Sequence, residues 1–227
     1  MILGEFSPEL FFKIASYLVL SSLFIIYWIS QYLGHEKPFP DPSISSCAGH
    51  YPEYVFFRVS TISGSALFVL GWLTNNFWLK TIARESTYNI RKIYPEIGMV
   101  MGMMSGLFLM GSTANIDTGK RNGVWHQHCA AAFFAFISLA IFYNTFVYYS
   151  VYKNTNKISK FSMGVKAIIV VSMIIQGYIS AEYGSYSWSY GTPLNSIGNL
   201  IEWTYAITVM LYCYFLALDM KGFKFIY

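Results

Sequence analysis

Six apolar stretches alternate with short polar connections along the 227 residues, near positions 10–33, 56–78, 95–114, 127–150, 164–181 and 198–218. An α-helix rises about 1.5 Å per residue, so about twenty residues cross roughly 30 Å of bilayer hydrocarbon. In lipid the peptide groups find no water, and a helix satisfies them within one segment. The pattern therefore predicts an all-α, polytopic membrane protein: a six-transmembrane-helix bundle with short loops, a single membrane domain spanning residues 1–227. The first stretch is longer than the apolar region of a signal peptide, and no A-x-A type site follows it, so it is read as a retained helix. Ser7 and Pro8 precede it and suit the N-cap and first-turn positions.

Composition strengthens this picture. Hydrophobic residues make up 55% of the chain and charged ones 11%, with a mean hydropathy of +0.44, too little charge to cover a soluble surface. Aromatic residues reach 19%, an excess that fits belts of Tyr and Trp at the headgroup level. The basic residues divide by side. Lys80, Arg84, Arg91, Lys92, Lys153, Lys157, Lys160, Lys221 and Lys224 follow the second, fourth and sixth spans, with Lys13 and Lys166 just inside neighbouring spans. Only Lys37, Arg58, Lys120 and Arg121 fall on the other side. Cytosolic connections retain positive charge, so both termini are expected in the cytosol and the other face in a lumen or outside the cell. The net charge of +4 then reflects topology and attraction to anionic lipid, and implies no nucleic acid partner.

The longest connection, residues 34–55, holds Pro38, Pro40, Pro42 and Pro52 with Asp41, Ser43, Ser45, Ser46 and Gly49, a composition expected to make turns rather than helix. It is either a connector or a lid over a lumenal site. Cys47 in this loop and Cys129 at the start of the fourth span share the lumenal side, where a disulfide is permitted; free thiols are the alternative. Cys213, within the sixth span, reads as a small apolar residue. In the third span Gly98, Gly102 and Gly106 recur at intervals of four and make a helix-packing seam. Met99, Met101, Met103, Met104 and Met110 surround the seam, suited to filling gaps or gripping a lipid tail. Small residues 130–132 make the fourth span the expected partner of the third.

Candidate chemistry collects at the lumenal ends of the spans. All four histidines, His35, His50, His126 and His128, fall there. His126 and His128 lie two apart, which is not the i, i+4 spacing of a helical metal pair, so no metal is expected. Glu202 lies about one turn inside the sixth span, where burying an acid without compensation costs roughly 2.5–3.5 kcal/mol. Arg58 and His128 are at matching depth and are its expected partners, in a register-fixing ion pair or in a catalytic His and Glu pair. His35, Ser45, Glu53, Asn115, His126 and Glu182 could complete a lumenal polar cluster. No cofactor-binding motif is present. The D-T-G-K string at Asp117 to Lys120 lacks the context of a P-loop and reads as a turn. No serine sits in a G-x-S-x-G elbow, so an ordinary serine hydrolase has no support.

Gly34-His35, Pro38-Phe39, Ile44-Ser45, Tyr51-Pro52-Glu53, Ala114-Asn115, His128 and Glu202-Trp203, in that order over nearly the whole chain, resemble the damage-regulated autophagy modulator (DRAM) family. Its superfamily also holds regulators of phosphoinositide-kinase recruitment, a factor that remodels GPI-anchor lipid, and the N-terminal region of a fungal cell-wall factor. The resemblance implies the six-span plan and leaves two functions open. One is a non-enzymatic regulator of lipid organisation, autophagy or phosphoinositide signalling in lysosomal, endosomal or plasma membranes, with membrane lipid and a lipid-kinase complex as partners. The other is a GPI-anchor lipid remodelling factor that meets GPI-anchored proteins at the lumenal leaflet of the Golgi or ER. A channel or transporter has less support, because no span carries regularly spaced charges or a paired broken helix.

Overall fold

The computed structural model describes residues 5–86, 88–116, 123–155, 157–183 and 196–226. Among these residues the structure is all-helical apart from two short paired strands, with six helices long and apolar enough to cross a membrane. These are α1 (Glu9–Leu33), α3 (Glu53–Glu85), α4 (Pro95–Ala114), α5 (Gly123–Thr155), α6 (Lys160–Tyr183) and α7 (Ser196–Asp219), with a one-turn helix α2 (Ile44–Cys47) between the first two. Each long helix packs on its neighbours in the chain, and α7 packs on α1, so the six form a closed ring. β1 (Glu5–Phe6) pairs antiparallel with β2 (Phe225–Ile226), Glu5 opposite Ile226. Both ends of the chain therefore meet at one face of the bundle, the terminal end. All four histidines lie at the opposite face, the histidine end.

Outward faces carry large exposed apolar side chains such as Phe24, Val59, Val100, Leu139, Ile168 and Ile174, as a surface solvated by lipid would. The helices outrun their apolar stretches. α3 and α5 each have 33 residues, about 50 Å of helix, because flanking residues such as Lys80, Arg84 and Lys153 continue the helix beyond the hydrocarbon depth. The proline-rich connection is shorter and more ordered than its composition predicted. Ser43 caps α2, its hydroxyl accepting the Ser46 amide at 2.9 Å, and α3 begins at Glu53. At the start of α1 the N-cap is Pro8, without a side-chain cap bond. Ser7 contributes its carbonyl, which accepts from Leu10, rather than its hydroxyl.

The glycine seam of α4 divides between two neighbours. A Cβ on Gly102 would lie 2.1 Å from the Trp72 ring and one on Gly106 2.6 Å from Val69, both on α3, whereas one on Gly98 would meet Tyr143 of α5 at 3.4 Å. Trp72 fills the gap, fully buried against Phe12 and Phe68 in edge-to-face contacts at 5.7 and 6.0 Å. α4 and α5 nevertheless make the most extensive contact in the bundle, as the small residues at 130–132 suggested, through faces other than the Gly102–Gly106 stripe.

The terminal half is locked by polar bonds. Lys166 is fully buried, ion-paired with Asp219, bonded to Ser162 at 2.6 Å, and 4.5 Å above the Tyr148 ring. Tyr148 donates to Asn75 at 2.6 Å, and Asn144 donates to Tyr212 at 3.1 Å. Helices α3, α5, α6 and α7 are thus tied together at this level.

Candidate functional site

At the histidine end, α1 stops at Gly34, whose φ of 69° is the left-handed conformation that favours glycine. The His35 amide bonds back to the Ser30 carbonyl at 2.9 Å, and the reversal brings the His35 ring to α3. There Nδ1 meets Glu53 Oε1 at 2.6 Å. His50 lies against His35 with ring centroids 4.7 Å apart and approaches Glu36 at 3.9 Å. Glu53 is fully buried, and its Oε2 has no hydrogen-bond partner among the described residues.

A second group forms where the first connection folds over the start of α7. Ser196, Asn199 and Trp203 lie on one face of that helix. Ser196 donates to the Asp41 carboxylate at 2.7 Å, Asn199 donates to the Asp41 carbonyl, and Trp203 Nε1 donates to the Pro42 carbonyl at 2.9 Å. These bonds fix residues 41–42, and the cap at Ser43 then sets α2 across the end of the ring. Ser45 on α2 lies 2.8 Å from His126 Nε2 on α5. His126 Nδ1 lies 2.9 Å from the Ser112 carbonyl and 3.2 Å from the Ser112 hydroxyl on α4. A carbonyl only accepts, so Nδ1 carries the proton. In the neutral ring Nε2 is then the acceptor, and Ser45 donates to it. The Glu202 carboxyl lies beside Ser45 and the Ile44 backbone, while its buried Oε2 has no partner among the described residues.

Ser45, His126 and Glu202 form the polar end of a small, largely apolar cleft of about 60 Å³, walled by residues such as Val19, Phe57, Ala130 and Met210, with Thr61, Ser112 and Thr113 also on its lining. Five of the six long helices line it; α6 does not.

The structure redistributes the expected cluster. Ser45, His126 and Glu202 come together, and His35 joins Glu53. Arg58 does not reach Glu202: its Nη2 donates to the Ile116 carbonyl at 2.9 Å, and its guanidinium lies 5.2 Å from the Tyr54 ring centroid. Carbonyls beyond a helix C-terminus lack partners in the helix, and the α4 terminus supplies one here. His128 is exposed, with Nδ1 against the Val124 carbonyl at 2.7 Å. Two residues turn a helix through about 200°, so the ring that faces inward at 126 dictates one facing outward at 128. Asn115 bonds back to Gly111 at 2.7 Å, and Glu182 is exposed at the end of α6. Lys120, Arg121 and the Asp117 to Lys120 turn lie outside the described residues.

All three cysteines are free. Cys47, the last residue of α2, is buried while Cys129 Sγ faces Gly111, so they do not bridge. Burial, with the Glu36 carboxylate second, pushes the Cys47 thiol up to about 12, which leaves it without the thiolate needed for attack. Among the described residues no three His, Cys, Asp or Glu side chains gather as a metal site.

Two features escaped the sequence reading. The buried ion pair that sets helix register is Lys166 with Asp219, whose signal was a lysine inside an apolar span. The other is the clamp from α7 onto residues 41–42, which left no signal.

The model of the Frag1/DRAM/Sfk1/Cwh43P N-terminal domain matches residues 9–223. The chain belongs to this family. No curated protein and no solved structure matches it. As a Frag1/DRAM/Sfk1-type protein it is a multi-pass membrane protein, and Ser45, His126 and Glu202 all lie within the matched region.

Proposed function

We propose that this protein binds a membrane lipid at the lumenal or exoplasmic leaflet, seating part of one acyl chain in the cleft and holding the lipid's polar part against Ser45, His126 and Glu202. The observation that carries the reading is a cleft with mostly apolar walls and a few convergent polar groups, as ligand sites have: a hydroxyl, an imidazole and a carboxylate. An acyl chain moving from bilayer to apolar cleft gains little hydrophobic free energy, because lipid tails are already as apolar as leucine. Selectivity must therefore come from the polar end. The excess of Lys and Arg toward the terminal end supports termini in the cytosol and the cleft at the opposite leaflet.

By resemblance to the DRAM branch, the bound lipid serves regulation of lipid organisation, autophagy or phosphoinositide signalling, with a lipid-kinase complex as the partner. Remodelling of GPI-anchor acyl chains in the Golgi or ER is the second reading, favoured by the Ser45 to His126 bond. Cells lacking the protein separate them: altered lipid on GPI-anchored proteins supports remodelling, and unchanged GPI lipid with altered autophagic or phosphoinositide signals supports regulation.

Lipid binding itself is tested by purifying the chain in nanodiscs of native lipid and identifying the lipids that survive transfer into detergent. One lipid class is expected to be enriched over the bulk membrane. Ala130→Trp, which fills the cleft, is expected to abolish the enrichment while the protein stays folded. Bulk lipid composition in the wild type, or equal enrichment in the folded variant, would overturn the reading.

A further inference from the structure

We propose that Ser45 is a nucleophile that accepts an acyl group from a lipid carboxylic ester held in the cleft, with His126 as its general base. The inference rests on the lipid-binding reading and adds a covalent step to it. Three observations converge. Ser45 Oγ and His126 Nε2 are 2.8 Å apart, the distance that proton transfer requires. The Ser112 carbonyl at 2.9 Å from Nδ1 fixes the tautomer and would stabilise the imidazolium that forms, the role an aspartate fills in other hydroxyl–imidazole pairs. Both side chains line the one cleft, whose apolar walls suit an acyl chain. The pair joins α2 to α5, far apart in sequence, and so needs no G-x-S-x-G elbow.

In the first step Ser45 passes its proton to His126 Nε2 while Oγ bonds to the ester carbonyl carbon. The bond from that carbon to the alkoxy oxygen breaks, and the departing alcohol takes the proton from His126. In the second step a hydroxyl, from water or from another lipid alcohol, gives its proton to His126 and attacks the acyl carbonyl. The Oγ bond then breaks and the proton returns to Ser45. The outcome is hydrolysis or transacylation, with no oxidant, reductant or cofactor consumed. Glu202 is a positioning residue: its carboxyl lies beside Ser45 and the Ile44 backbone at the polar end of the cleft, and when ionised its negative field favours the imidazolium.

The test uses the full chain in nanodiscs of native lipid, exposed to a fluorophosphonate probe and digested for mass spectrometry. The expected result is one label, on Ser45, absent in Ser45→Ala and about a hundredfold slower in His126→Ala. His128→Ala should label at the wild-type rate. Glu202→Gln should move the pH profile of labelling to lower pH, which a merely structural role would not do. A second measurement incubates the protein with a phospholipid carrying an isotope-labelled acyl chain and seeks that acyl mass on the Ser45 peptide after acid quenching. Folded protein that enriches its lipid yet shows neither adduct overturns the nucleophile and leaves lipid binding standing. Loss of enrichment in the wild type would overturn both.

Discussion

Lys166 and Asp219 at the terminal end satisfy each other directly, with Ser162 taking a second bond from Lys166 and Tyr148 covering the ammonium. Glu202 and Glu53 at the histidine end each keep one buried carboxylate oxygen without a partner among the described residues. Ser30 Oγ, Arg58 Nε and Asn199 Oδ1 at the same end share that condition; in the terminal half Asn76 Oδ1 does too, but among the described residues no charged side chain there does. Buried polar groups are costly unless bonded, and more so in hydrocarbon. One end therefore uses its charges to hold helices together, and the other holds buried polar atoms that no described residue satisfies. The cleft lies at the second end.

The largest effect should come from dividing the terminal pair. Asp219→Asn leaves Lys166 buried without its counter-charge, and breaking a buried pair this way costs about 3–5 kcal/mol. A large fall in the Tm of detergent-solubilised protein is expected. Lys166→Met combined with Asp219→Leu should recover most of it, since an apolar replacement removes both desolvation costs. A small change on Asp219→Asn would mean that the terminal end is not locked by this pair, and the contrast would fail.

The next effect lies at the seam between the ends. Gly102→Ala drives a methyl into the fully buried Trp72 ring and should destabilise by about 1–3 kcal/mol. Gly98→Ala, with 3.4 Å to Tyr143, should cost little. Equal Tm changes for the two would show that α4 shifts to absorb the methyl, and that the seam is not a rigid wall for the cleft above it.

The six spans were legible because apolar length alone encodes them. Glu202 was legible for the same reason in reverse, as a charge inside a span. What hydropathy does not encode is rotational phase. α5 is apolar nearly all round, so the sequence could not say whether His126 or His128 faced inward, and it favoured the one that the structure turns outward. The seam at Gly102 and Gly106 could be read from its spacing, but its neighbour could not, since Trp72 gives no sign in sequence that it needs the room. Ser45 was included as one polar residue among several. Its meeting with His126 depends on Ser196, Asn199 and Trp203 gripping residues 41–42, a tertiary arrangement with no local pattern.

The smallest effect on stability is expected where the proposed chemistry lies. Glu202→Gln preserves shape at the polar end of the cleft, and it removes a buried carboxyl whose second oxygen has no partner among the described residues. The change in unfolding free energy should stay below about 1 kcal/mol in either direction. The lipid enrichment of the same variant should fall, because the acyl chain gains little from the cleft and the polar end supplies the selectivity. Tm and retained lipid can be measured on one preparation, so the two effects separate cleanly. If Glu202→Gln lowers Tm as far as Asp219→Asn does, with lipid retention unchanged, Glu202 is a packing element like Asp219, and the two ends differ in sequence but not in role.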